Sequence, residues 1–200
     1  MQKKLIGLAT VLALSFPMQS MATVVQVKAL ENSTTGGVGA TVPLSFTVGD
    51  SFTVSVNLLD LWNSGDLPRW SNANGQQAPD LLATGAADTN GDNPGVAAGT
   101  VIGGGGFGNW SQGGLVAPFG TLVGAWDTSP STFFTIGTSF AGLAAGSVLS
   151  LYYFDSNNSD NTGSILADVN LAAVPEPETY GMMLVGIGMM GFMVRRRKNK

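Results

Sequence analysis

Apolar and polar residues alternate along much of this chain. In Phe52-Thr53-Val54-Ser55-Val56-Asn57-Leu58 every other residue is apolar, and Ile165-Leu166-Ala167-Asp168-Val169-Asn170-Leu171 repeats the arrangement. A strand turns successive side chains to opposite faces. Phe52, Val54, Val56 and Leu58 would thus share one core face, and Ile165, Ala167, Val169 and Leu171 another. Similar patterns predict strands at 24–30, 42–48, 121–126, 132–137 and 147–154. Turn residues separate them, as in Val48-Gly49-Asp50, Ala145-Gly146-Ser147 and Asn161-Thr162-Gly163. Many short strands without a credible internal helix predict an all-β fold, a single β-sandwich or jelly roll. The stretch 61–120 breaks the rhythm. Its glycines 103–106 and its many Asn, Asp, Ser and Pro residues predict a long loop region rather than core. Trp62, Trp70 and Trp110 lie within it. They read either as caps on the end of the sandwich or as platforms for sugar rings, which makes Trp62 and Trp70 candidate ligand contacts.

The two ends follow other patterns. Lys3 and Lys4 precede an apolar stretch from 5 to 16, and Ser20-Met21-Ala22 places small residues third and first before a cut. Residues 1–22 therefore read as a secretory signal helix removed after Ala22. At the other end, two prolines in Val174-Pro175-Glu176-Pro177-Glu178 enforce an extended segment. Residues 179–194 carry no charge, and Arg195, Arg196, Arg197 and Lys198 follow at once. At ~1.5 Å per residue that run spans roughly 24 Å, short against a hydrocarbon core of about 30 Å, though flanking basic side chains extend its reach. A C-terminal transmembrane helix at 179–194 with a basic stop keeps the tail in the cytoplasm and the body beyond the membrane. The organisation expected is a signal peptide at 1–22, a β body at 23–174 and a sorting tail at 175–200.

Charge changes the picture of the body. Residues 23–174 hold two basic side chains, Lys28 and Arg69, against eleven acidic ones, a net charge of −9. Such a surface repels phosphate backbones and argues against nucleic-acid binding. The chain has no Cys and no His, which removes thiol and imidazole nucleophiles, the usual zinc ligands and any disulfide framework. A general base near neutral pH would have to be a tuned carboxylate or Lys28, and no local pattern pairs two carboxylates for glycoside hydrolysis. The Gly-rich stretch from Gly103 to Gly108 lacks the strand-to-helix setting of a phosphate loop. The expectation is that the protein is not an enzyme.

The tail resembles the PEP-CTERM sorting signal of exported Gram-negative proteins, also labelled an ice-binding protein C-terminal domain. The resemblance rests on Pro175-Glu176-Pro177, the short Gly-rich apolar run and the Arg-Arg-Arg-Lys end, in that order. It implies recognition by a membrane processing enzyme of the exosortase type. It also implies association with bacteria that make exopolysaccharide, and a destination in the cell envelope or at its surface.

Candidate chemistry concentrates in Asp155-Ser156-Asn157-Asn158-Ser159-Asp160-Asn161 between the two strongest strands. Closely spaced carboxylate, amide and backbone oxygens are what Ca²⁺ takes, and solvated turns use the same residues. The spacing is not that of an EF-hand: Asp160 stands where the turn needs Gly, and Leu166 where a Glu belongs. A second cluster, Asp88-Thr89-Asn90-Gly91-Asp92-Asn93, has the same alternatives. Thr121 to Gly124, Phe134 to Gly137, Gly146 to Tyr153 and Asp155 to Ser164 resemble the second half of calcium-dependent galactose-binding bacterial lectins. Phe52 to Val56 and Trp70 to Gly75 are similar to the first half. The resemblance implies a galactose-binding-like sandwich. It carries over Asp155, Asp160 and Asn161 as calcium ligands, with the backbone of Ser159 as a further one, and Gln112 near a polar sugar contact. A ligand from the first half would fall near Asn63 or Ser64. The loop after Asp155 is shorter than in such lectins, and their sugar-contacting His has no counterpart. The function expected is a surface-sorted envelope protein whose β domain binds a galactose-type glycan or exopolysaccharide with calcium. The alternative is a structural surface or matrix protein without a ligand site.

Overall fold

The computed structural model describes residues 20–172 and, in the tail, residues 181, 184–190 and 195, which are helical. Pro175, Glu176, Pro177, Arg196, Arg197 and Lys198 lie outside the described residues, as do residues 1–19 of the signal helix and much of the 179–194 span. Among the described residues no helix is long and apolar enough to cross a membrane.

The body holds fourteen strands in chain order: β1 (Met21–Lys28), β2 (Ala40–Thr41), β3 (Ser51–Val56), β4 (Trp62–Asn63), β5 (Trp70–Ser71), β6 (Leu81–Leu82), β7 (Val101–Gly103), β8 (Asn109–Gln112), β9 (Leu115–Pro118), β10 (Thr121–Trp126), β11 (Phe134–Thr135), β12 (Ser139–Leu143), β13 (Leu149–Phe154) and β14 (Thr162–Leu171). They form antiparallel sheets in a curled, half-barrel arrangement. β14 is the hub of the larger sheet. One edge carries β1 in register from Met21↔Leu171 to Lys28↔Ser164, and β3 and β4 divide the other edge. The register puts Val25 and Val56 beside Ala167, and Val54 beside Val169. All the apolar residues of that face are therefore buried together, which is what the period-two pattern demands. The second sheet runs β11-β10-β13-β2, and its Leu122, Trp126, Leu149, Leu151 and Tyr153 close the same core from the other side. β10 is buried on both faces because Ala117, Val123 and Phe154 form a second cluster beneath the β8–β9 hairpin.

Several predicted elements take another form. Residues 42–48 are not a strand, although Val42, Leu44 and Phe46 are buried as the alternation requires. The segment runs beside β13 with Val42 N donating to Leu149 O and Phe46 N to Ser147 O, and Pro43 between them has no N–H to offer a ladder. Leu58 is 59 % exposed, because β3 stops at Val56 and Asp60 N closes a turn on Asn57 O. The strand expected at 132–137 shrinks to two residues. The stretch 61–120 is not merely loop: Leu61, Trp70, Ala83 and Ile102 make a small core of their own. β1 begins at Met21, so a cut after Ala22 falls inside this strand and leaves Thr23–Lys28 paired with Val169–Ser164.

Candidate functional site

Asp155 follows the last residue of β13, and the backbone there is fixed from three sides. Thr34 N donates to Tyr153 O at 2.8 Å, and the hydroxyls of Thr34 and Thr35 donate to Asp155 O at 3.1 and 2.7 Å. Gln112 supports this contact from behind. Its Nε2 donates to Thr34 O at 3.0 Å, while its Oε1 accepts from Trp110 Nε1 at 3.3 Å. Gln112 is thus a buttress for the Asp155 backbone and is committed within the fold.

The loop itself is self-bonded. Ser156 N donates to Asp155 Oδ1 at 2.6 Å, and Asn157 Nδ2 donates to Ser159 Oγ at 3.0 Å and to Asp160 Oδ1 at 3.2 Å. Asp155 is only 4 % exposed. Burial pushes its carboxyl above the ordinary range against the Ser156 and Asn161 hydrogen bonds, and the Asp160 charge adds to the rise. No basic side chain pairs with Asp155 among the described residues. Asn161 is 2 % exposed, with Nδ2 donating to Ala29 O at 3.2 Å and Oδ1 without a partner. Asn63, in register with Thr162 across the β4–β14 pairing, holds another buried amide oxygen without a partner. An unbonded buried amide oxygen is costly to keep.

Asp160 differs from Asp155. Its Oδ2 lies 3.7 Å from Arg69 Nη1, and the Arg69 guanidinium stacks 4.8 Å from the Phe107 ring centroid. A cation therefore already stands beside Asp160, so the two carboxylates do not face each other unneutralised, and their repulsion alone does not require a metal. Asp155, Asn157 and Asp160 line a cavity of about 240 Å³ together with Ser64, Arg69, Phe107 and Phe119. Trp110 stacks on Phe119 at 6.2 Å. Ser159, exposed, uses its hydroxyl on Asn157.

The expected aromatic contacts separate. Trp62 is fully buried, packs edge-on against Tyr153 at 4.5 Å and donates Nε1 to Gly120 O at 2.9 Å. It is a core residue and offers no platform. Trp70 is 8 % exposed and lines a different cavity of about 400 Å³ between residues 70 and 81. Arg69, Phe107 and Phe119 were not legible as site residues. The signal available for Arg69 was its solitude as the only Arg of an acidic body.

The second acidic cluster is an anchor rather than a solvated turn. Asp88 Oδ2 accepts Leu61 N at 2.9 Å, Asp92 Oδ2 accepts Ser164 N at 2.7 Å, and Asn90 Nδ2 donates to Asp60 Oδ1 and to Ser164 O. Backbone N–H groups consume these carboxylates: Asp88 just before β4, and Asp92 at the start of β14. Among the described residues no three acidic side chains group into a metal site.

The geometry gives the body no identity, but the tail carries one. Residues 173–198 match the PEP-CTERM protein-sorting motif. That motif implies an exported protein, processed by exosortase and sorted to the cell surface or envelope. No curated protein matches the chain, so the likeness of the body to galactose-binding lectins has no support beyond its own residues.

Proposed function

We propose that this protein is a surface-sorted envelope component whose β body is a non-catalytic glycan-binding domain completed by calcium. The two sheets over one core are read as a galactose-binding-like sandwich. The tail 179–194 holds the chain in the membrane until exosortase-type processing at Pro175-Glu176-Pro177. The observation that carries the ligand site is the pairing of Asp155, buried and without a basic partner, with Asn161, whose buried Oδ1 is unbonded. Hard oxygens of this kind suit Ca²⁺, with Asp160 and the Ser159 backbone completing the shell. Arg69, Phe107 and Phe119 supply a charged fork and apolar faces for a sugar ring or an exopolysaccharide residue beside the metal. The non-catalytic reading rests on chemistry: Asp160 is held by Arg69, which leaves Asp155 alone as a candidate acid or base in that cavity. The Arg69–Asp160 pair also favours a second reading, a structural matrix protein whose loop is already neutralised. Calorimetric titration separates the two. Calcium binding at the loop, and galactose or a related glycan binding only when calcium is present, supports the first. No heat from calcium or from any neutral glycan supports the second.

A further inference from the structure

The cavity between residues 70 and 81 adjoins the Asp155–Asp160 cavity across a thin partition. Arg69 lines the smaller cavity, and Trp70, its neighbour in the chain, lines the larger. Gln76, which also lines the larger one, donates Nε2 to Ser64 Oγ of the smaller and to Arg69 O at 2.9 Å. The turn Gly105–Phe107 completes the partition, with Gly104 lining the larger cavity and Phe107 the smaller. Its glycines allow the close packing. A Cβ on Gly104 would lie 2.5 Å from Asp80 Oδ1, and one on Gly105 would lie 2.9 Å from Ala78 N. The partition is open to solvent along the Arg69 side chain and Phe107, which are 39 and 41 % exposed.

The larger cavity holds polar groups that the fold anchors at one end and leaves uncommitted at the other. Asn74 Oδ1 accepts Thr138 N at 2.8 Å and Thr138 Oγ1 at 3.1 Å, which leaves Nδ2 as a donor. Gln77 Nε2 donates to Asn74 O at 2.9 Å, which leaves Oε1 as an acceptor. Asp80 is exposed, and no basic side chain pairs with it among the described residues. None of the described residues that line this cavity is basic. Mixed donors and acceptors beside a lone carboxylate suit the hydroxyls of a neutral sugar and disfavour an anionic one. Size points the same way. The Asp155–Asp160 cavity, at about 240 Å³, falls short of the roughly 300–1,000 Å³ usual for small-molecule sites, and its neighbour, at about 400 Å³, lies within that range.

We infer that the ligand of the body is a chain of neutral sugars rather than a single ring. One residue sits beside Asp155 and Asp160, the chain crosses over Arg69 and Phe107, and the next residue occupies the cavity of Asn74, Gln77 and Asp80. There the Asp80 carboxylate and Gln77 Oε1 accept from hydroxyls, and Asn74 Nδ2 donates to one. The inference rests on the reading of the first cavity as a glycan site completed by calcium, which supplies the anchored residue. An anchored chain presents its second residue at high effective concentration, so contacts too weak to hold a free sugar still add to its affinity.

The test is calorimetry of the full chain in millimolar calcium, titrated with galactose and with a set of linear galactotrioses. At least one triose is expected to bind roughly tenfold tighter than galactose, the worth of one added hydrogen bond to a charged group. Asp80→Ala should bring that triose down to the affinity of galactose. Galactose heat in the variant shows that it is folded, because Asp80 does not line the first cavity. Trioses that bind no tighter than galactose, a gain that survives Asp80→Ala, or galactose binding lost together with the gain overturn the inference alone. No heat from galactose or from any triose in calcium overturns the glycan reading and the inference together.

Discussion

Asp60 shows how burial, rather than a charge partner, sets the chemistry of this body. It is 1 % exposed, and its oxygens accept Leu166 N and Asn90 Nδ2, both at 2.7 Å. Burial, opposed by the Leu166 hydrogen bond and reinforced by the Asp88 and Asp92 charges, pushes its carboxyl up to about 6. A carboxyl raised above its unfolded value near 3.9 stabilises fully below about pH 4, and that contribution is lost as pH rises through about 6. Asp92 and Asp155 are raised too, chiefly by burial, and act in the same direction. The melting temperature of the metal-free protein is therefore expected to fall by on the order of 5 °C between pH 4.5 and 7. Asp60→Asn should flatten that fall, and a steady rise over the same range contradicts the burial account. Arg69 gives a contrasting case. Its pair with Asp160 is half-exposed, so Arg69→Gln is expected to cost less than about 1 kcal/mol in denaturant unfolding. The same change should abolish glycan heat in calorimetry, because the fork and its stack on Phe107 are lost.

At the scale of elements, β14 organises the fold because, among the described residues, it alone pairs with three other strands. Val169 is fully buried between β1 and β3, so Val169→Ala is expected to cost about 2–3 kcal/mol through lost burial and the cavity left behind. Leu58→Ala should change stability by less than about 0.5 kcal/mol, although Leu58 continues the same apolar alternation as Phe52, Val54 and Val56. Urea denaturation of the two variants measures the contrast. The pair also shows what was legible in the sequence. Period-two patterning located β3 and β14 with their buried faces, since alternation is a direct imprint of a half-buried strand, and it located β10 and β13 as strands, although β10 proves buried on both faces. It could not say that 42–48 forms no ladder and bends at Pro43 and Leu44, because burial alternates there just as it does in a strand. It overlooked the core of Leu61, Trp70 and Ile102, whose contacts are made across long sequence separations within a Gly-rich stretch. The loop from Asp155 to Asn161 was legible because its residues are contiguous. Arg69 and Phe107 join it only through tertiary packing, which no local pattern records.

For the whole molecule, the proposed reading gives location to the tail and recognition to the body. Deleting residues 175–200 should release an otherwise folded body from the envelope fraction, because the matched sorting motif lies entirely outside β14. Retention of the truncated chain in the same fraction contradicts the separation. The central claim concerns the body: that Asp155 and Asn161 are oxygens waiting for a cation. A metal that binds only the folded state stabilises it by about 2.7 kcal/mol at a hundredfold excess over Kd, or roughly 5–10 °C for a domain of this size. The most direct measurement is the melting temperature of wild type and Asp155→Asn in millimolar calcium and in chelator. The account predicts a rise of that order for wild type and none for Asp155→Asn. It also predicts that the variant in chelator melts at or above the wild-type temperature, because it no longer buries an unpaired carboxylate. Equal wild-type melting temperatures in calcium and in chelator would contradict it and leave the loop as a self-bonded turn neutralised by Arg69.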